Sequence, residues 1–458
     1  MDITPIVEKQ RLFFQQGHTL TIAARKKALD KLYSAIKQYE KELLKAVKAD
    51  LGKSATEAFM CEVGLTLSEI SYIRRHLSGW AKAKRRLTPI TNFPATSKIV
   101  QEPYGVVLIM SPWNYPVLLT LEPLVGAIAA GNCAVLKPSA YSPHTTDVIT
   151  RLIRATFEEE QVAVVTGGRA ENQSLLEQRF DYIFFTGGVN VGRLVMEKAA
   201  RHLTPVTLEL GGKSPCIIDH TSDLALAARR LAFGKWLNCG QTCIAPDYVL
   251  IEESVHDRFV ELLKGEVSGM FYAEGGDTLS KDYGKIINQK HFDRLQGLID
   301  KNKVVYGGRL YPDTLQIEPT IMDGVSEGDA VMQEEIFGPI LPILTVDGIR
   351  EAKQFVQSHE KPLALYLFSN DKKVQNEFMH EVSFGGGCIN DTIMHIASSR
   401  LPFGGVGHSG MGSYHGKQSF LTFSHAKSIV SKPNVFDMPL RYAPYTGWKE
   451  RLIRMFLR

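Results

Sequence analysis

The sequence is poor in the features that mark several large protein classes. Its six cysteines, at 61, 133, 216, 239, 243 and 388, form no CxxC pair. That argues against a zinc ribbon and against the disulfide framework of a small secreted chain, so reduced thiols are expected. The thirteen histidines include no HExxH or other ligand spacing, and no metal site is expected. Lysine plus arginine exceed aspartate plus glutamate by only four (53 − 49), which leaves no concentrated basic face and no nucleic-acid partner to expect. The most apolar stretch, 105–137, is interrupted by Pro112, Asn114, Pro116, Glu122 and Pro123. Its unbroken runs fall short of the roughly 20 residues that a membrane span requires. Residues 1–9 carry acids early and no apolar h-region, so no signal peptide and a cytoplasmic location are the expectation.

What is present is ample core material. With 44% hydrophobic residues over 458 positions, the chain suggests two or three domains at about 150 residues each. Residues 21–51 place Ile22, Leu29, Leu32, Ile36, Leu43 and Val47 at helical spacing with Gly52 as a stop, and 57–80 continues in the same style. After about residue 100 short β-branched runs alternate with helical patterns: 105–110, 133–137, 162–165 and 182–185, then 215–218, 248–251, 303–306 and 363–368. Alternation of this kind predicts parallel, doubly wound α/β sheets. The glycine-rich segments 385–387 and 403–412 read as loop.

Two residues carry the chemistry. Cys243 lies in Asn238-Cys239-Gly240-Gln241-Thr242-Cys243, and Glu209 lies 34 residues earlier (243 − 209) in Leu208-Glu209-Leu210-Gly211-Gly212-Lys213. A thiol can attack a carbonyl carbon and hold the product as a thioester, which a base-activated water releases. Cys239, four residues before Cys243, either meets it on oxidation or is a small buried side chain. Asn114, braced by two prolines and by Trp113 and Tyr115, can donate a hydrogen bond to a developing oxyanion; the alternative is a rigid aromatic turn. Lys137, before Pro138 and Ser139, ends a strand pattern, where open α/β sheets bind ribose or phosphate; the alternative is a surface lysine. In 185–192, Gly187 and Gly192 fall between a strand and a helix pattern, where backbone N–H groups attract anions; an ordinary βα turn competes with that reading. Glu335 and Phe337, two apart on a loop, can anchor a ribose hydroxyl and stack on a ring, or form an exposed acidic turn.

Taken together and in order, these segments resemble the aldehyde dehydrogenase superfamily. The matching pieces are PWNYP (112–116), KPS (137–139), FTGG with a further glycine (185–192), LELGGK (208–213), GQTC (240–243), EEIFGP (334–339) and LPFGGVGHSGMG (401–412). Finer features resemble the class 3 branch of fatty and aromatic aldehyde dehydrogenases: PWNYP, Asn390-Asp391 with Met394-His395, residues 412–417 and a short N-terminal lead. The resemblance implies a Rossmann-like cofactor domain (1–84 and 102–209), an α/β catalytic domain (210–412), a small β oligomerisation arm (85–101 and 413–430) and a C-terminal tail (431–458). It implies oxidation of an aldehyde, aliphatic of medium or long chain or aromatic, to the acid with NAD or NADP. In that scheme Cys243 is the nucleophile, Asn114 and the Cys243 N–H form the oxyanion hole, and Glu209 activates water. Lys137, Gly187, Gly192, Glu335, Phe337, Trp113 and position 140 face the cofactor, and the partner is a second copy in a homodimer.

One position departs from the pattern. Relatives that favour NAD commonly carry a glutamate three residues after the KPS lysine, and here that residue is Ala140. No carboxylate stands there to repel a 2′-phosphate, so NADP use is expected. In the tail, Trp448, Leu452, Met455 and Phe456 share a face, with Lys449, Arg451, Arg454 and Arg458 largely elsewhere. This amphipathic basic helix can lie on a bilayer, or pack against the protein. Two other functions compete with the main one: a coenzyme A-acylating dehydrogenase, disfavoured because Glu209 serves water, and an idle binding member of the fold, disfavoured because Cys243, Glu209 and Asn114 are all present.

Overall fold

The computed structural model describes residues 3–274 and 278–457. The chain opens in helices, Thr4–Gln15 and Ile22–Leu51. The second begins on a Thr21 hydroxyl that accepts from the Ala24 N–H at 3.1 Å and ends at Gly52 with φ 73°, the boundaries its apolar spacing predicts. The next helical stretch is interrupted: Ala55–Ala58 runs through a π-helical turn, Phe59–Val63, into Gly64–Trp80.

Two large sheets follow. The first has six strands in the order Gly410–Met411, Val206–Glu209, Tyr182–Thr186, Val106–Met110, Cys133–Lys137 and Val162–Val164, parallel except for Gly410–Met411. Alternate residues of its strands face opposite cores. Val107, Ile109, Ala134 and Leu136 pack with helices Pro116–Ala130 and Pro143–Thr156, whereas Val106, Leu108, Cys133 and Val135 pack with Thr4–Gln15 and Val189–Ala200. Burial on both faces is why these strands read as continuous apolar runs. Every residue of Pro116–Ala130 is buried, and its 15 positions make it a core helix. Among the described residues no helix is long and apolar enough to cross a membrane.

The second sheet has seven strands in the order Val304–Tyr306, Thr320–Met322, Ile340–Val346, Tyr248–Glu252, Pro215–Ile218, Ala364–Phe368 and Gly386–Ile389, parallel except for the first. Of the loop expected at 385–387, Gly386 and Gly387 are instead part of this edge strand. A β-carbon on Gly387 would lie 2.0 Å from the Leu365 carbonyl oxygen, so glycine permits close strand pairing there. The 403–412 segment is loop for much of its length, but Gly410–Met411 returns to the first sheet beside Leu208 and Glu209. A third sheet, Lys84–Arg86, Thr96–Pro103 and Ser424–Ser431, is antiparallel.

Candidate active site

The parallel register of the first sheet brings the ends of four strands to one edge. Met110 pairs with Lys137 and Phe185, and Thr186 pairs with Glu209. The segments holding Trp113 and Asn114, Lys137, Gly187 and Glu209 therefore leave from the same carboxyl edge, where doubly wound sheets bind ligands. From the other side comes Cys243, on the loop after helix Leu224–Trp236. Gly240 lets that loop turn at φ 71°, and a β-carbon there would lie 2.2 Å from the Gly338 carbonyl oxygen. The loop of Cys243 is thereby pressed onto the loop of Glu335 and Phe337.

These elements enclose a cavity of about 350 Å³ into which Trp113, Asn114, Glu209, Cys243, Glu335 and Phe337 face, with Gly187 in its wall. A larger cavity of about 930 Å³ is lined by the arm and the tail and contains none of these side chains. Chemistry distinguishes the smaller one. Lys137, Ala140 and Gly192 lie outside its wall. Lys137 is buried, with its ammonium on the Pro138 carbonyl at 2.8 Å; Ala140 is exposed. Gly192 sits within helix Val189–Ala200, where a β-carbon would lie 2.7 Å from the Leu210 side chain, so it lets the helix pack closely on the segment that follows strand Val206–Glu209.

Cys243 is half-buried, and burial pushes its thiol up, helped by the nearby Glu335 and Glu209 charges. Glu209 is buried, neither carboxyl oxygen has a hydrogen-bond partner, and burial holds it well above the ordinary carboxylate range. Glu335 is pushed up to about 8, by burial first and then by Asp247, against the Gly212 N–H and the Lys213 and Arg294 charges. Asn114 donates from Nδ2 to the Gln241 carbonyl at 3.0 Å. A side-chain amide carries two N–H bonds, so one orients the group and the other remains. Cys239 is buried, its sulfur 3.1 Å from where a Gly284 β-carbon would lie, which matches the small-buried-side-chain reading.

Three further residues shape the site without having been assigned a role from the sequence. Lys213 clamps the Glu335 loop: Nζ reaches Asp247 Oδ2 at 2.5 Å and the Val331 and Glu334 carbonyls at 3.0 and 2.9 Å, while Asp247 Oδ1 accepts from the Ile336 N–H at 3.0 Å. Arg294 adds a bond to the Ile336 carbonyl at 2.5 Å. His291 packs its ring 5.2 Å from Trp113, and burial lowers its pKa, with Arg294 and Lys290 adding to the effect. Lysine within LELGGK gave one signal; Arg294 and His291 sit on an ordinary amphipathic helix, Gln289–Gln296, and gave none.

A thiol, a buried carboxyl and an amide donor around one cavity are groups able to carry out acyl chemistry at a carbonyl carbon. The model of the aldehyde dehydrogenase family matches residues 1–429. A 4,4'-diaponeurosporen-aldehyde dehydrogenase of Staphylococcus aureus is 48% identical over 98% of this chain and 97% of its own length. A dimeric NADP-preferring aldehyde dehydrogenase of Canis lupus familiaris is 45% identical over 96% of this chain and 98% of its own. The solved structure described as the substrate-bound state of Staphylococcus aureus AldH superposes with a TM-score of 0.97 at 47% identity, covering 100% of this chain and 99% of the other. The chain belongs to the aldehyde dehydrogenase family. Within that family it falls in the class 3 branch, and it is an enzyme that oxidises aldehydes.

Proposed function

We propose that the protein oxidises apolar aldehydes to carboxylic acids through a covalent intermediate on Cys243, with NAD or NADP as oxidant. The observation that carries this reading is the convergence of Cys243, Glu209 and Asn114 on one cavity. The Cys243 sulfur attacks the aldehyde carbon as its thiol proton passes to water in the cavity, and the free N–H of Asn114 with the Cys243 backbone N–H stabilises the resulting oxyanion. A bound NAD or NADP would supply the hydride acceptor needed to oxidise the Cys243-bound adduct to the acyl level. Glu209 then accepts a proton from water as the water oxygen bonds to the acyl carbon, and the C–S bond breaks with return of that proton to the departing Cys243 sulfur. A carboxylate whose proton affinity is raised by burial is a stronger base than a solvated one. Trp113, Leu119 and Phe337 in the cavity wall suit a medium- or long-chain or aromatic aldehyde.

The residues at the first sheet's carboxyl edge fit a dinucleotide. Lys137 has a single bonded acceptor, the Thr186 hydroxyl is buried without a partner, and the space beside Gly188 is open at the start of helix Val189–Ala200. These are donors for ribose and phosphate oxygens. Residues 1–84 and 102–209 would then serve the cofactor and 210–412 the substrate chemistry, while the arm formed by 85–101 and 413–430 would join a second copy in a homodimer. Measuring acid formed from an aldehyde with NAD(P) and no coenzyme A tests the reading; a strict requirement for coenzyme A would replace it.

A further inference from the structure

Two charged side chains lie buried in the molecule without lining the cavity. Lys53 and Glu62 are fully buried and paired at 2.8 Å. Glu62 is turned inward within the π-helical turn Phe59–Val63, an irregularity that occurs often at functional sites. Replacing such a pair with apolar residues is often neutral or stabilising, so the pair is weakly explained by stability.

Its contacts all lead to the oxyanion donor. Lys53 Nζ donates to the Asn114 carbonyl at 2.9 Å and lies 3.9 Å above the Tyr115 ring centre. The other Glu62 oxygen accepts from the Val117 N–H at 2.8 Å. The pair thus grips the backbone from the Asn114 carbonyl to the Val117 N–H. The same Asn114 carbonyl accepts from Asn238 Nδ2 at 2.8 Å, and that amide also reaches the Gln241 carbonyl at 3.1 Å, the acceptor of the Asn114 side chain. Glu57 holds the Asn238 N–H at 2.9 Å, and the Tyr115 hydroxyl is 2.7 Å from that of Thr242. Asn238 and Cys239 both take left-handed backbone at φ 53°, a conformation that persists only where surroundings impose it.

We propose that Lys53 and Glu62 are positioning residues for aldehyde oxidation: they fix the backbone at Asn114 and, through Asn238 and Gln241, set its free N–H against the N–H of Cys243. This rests on the oxyanion reading of Asn114. The side chains make no contact with the cavity, so their effect on turnover passes through Asn114 and the Cys243 loop.

A double-mutant cycle with Asn114→Ala tests this, using the paired substitution K53M/E62M to remove both charges together. K53M/E62M is expected to unfold thermally near the wild-type temperature, to lose ~10- to 100-fold in kcat, and to keep the cofactor KM within about twofold, since it touches no cofactor residue. Added to Asn114→Ala, it should cost less than about twofold more, because interacting sites are not additive. If K53M/E62M does not fold, the near-isosteric Glu62→Gln carries the same cycle. Wild-type turnover in a folded variant, or losses that multiply fully with Asn114→Ala, overturns the positioning role while leaving the oxyanion reading intact. Full activity in Asn114→Ala alone overturns the oxyanion reading and this inference with it.

Discussion

The carboxylate of Glu335 occupies the space in which a side chain on Gly211 would begin: a β-carbon there would lie 2.0 Å from Oε2. The two residues are 124 positions apart (335 − 211), yet Gly211 is glycine because Glu335 rests on it. Gly211→Ala is expected to push the carboxylate aside. Aldehyde turnover should fall ~10- to 100-fold, while stability changes by about 1–3 kcal/mol, the usual cost of overpacking. Steady-state kinetics and thermal unfolding measured together separate the two effects; unchanged turnover would show that Glu335 has no role in the reaction.

Cys243 and Glu209 are expected to fail at different steps. Cys243→Ala should abolish turnover. Glu209→Gln should still release a first equivalent of reduced cofactor, with later turnovers slowed by ~100-fold or more as the thioester waits for an unactivated water. Stopped-flow absorbance of the reduced cofactor reads both phases, and a missing burst in Glu209→Gln would place Glu209 before the hydride step.

Ala140 removes a carboxylate from the Lys137 turn. Restoring one with Ala140→Glu should disfavour NADP relative to NAD by about 1 kcal/mol or more, the scale of one charge near a phosphate. The ratio of kcat/KM for the two cofactors reports this directly. A wild-type enzyme with a strong NAD preference would remove the argument.

Glu335 gives a signed dependence on pH. Its folded pKa of about 8 lies above the ordinary 4.5, so the folded state binds its proton more tightly than the unfolded chain does. Between those values the unfolded state holds fewer protons, and stability falls as pH rises. Glu335→Gln has no such proton to lose. It should therefore gain thermal stability relative to wild type from pH 4.5 to pH 8, and differential scanning calorimetry across that window would expose a parallel pair of curves if the shift were absent.

The tail offers a physical choice. In helix Gly447–Phe456, Ile453 and Phe456 face the cavity shared with Ile90 and Phe93 of the arm, whereas Trp448 and Met455 are 53% and 61% exposed. Arg458, counted with the basic face, lies outside the described residues. If the outward face meets a bilayer, full-length protein should sediment with anionic liposomes and a chain ending at residue 432 should not. Equal partition of the two would assign the helix to packing alone.

The strand runs were legible because residues buried on both faces must be apolar over several consecutive positions, as in Cys133–Lys137 and Ala364–Phe368. The thiol, the carboxyl and the amide were legible because their chemistry travels with short motifs. Gly386–Ile389 was not, because its glycines resemble loop until the Leu365 carbonyl above them is known. Lys53, Glu57 and Glu62 were not, because charge on a helix or in the turn beside it ordinarily marks solvent.

The sequence by itself determined which groups can react and the alternation of strands and helices that carries them. Tertiary structure decided their state: Glu209 without a partner, Glu335 settled on Gly211, and a Lys53–Glu62 pair bound to the Asn114 backbone. Local pattern reaches only a few residues along the chain. Burial, charge and hydrogen bonding are set by neighbours in space, and at this site those neighbours come from segments as far apart as residues 53 and 335.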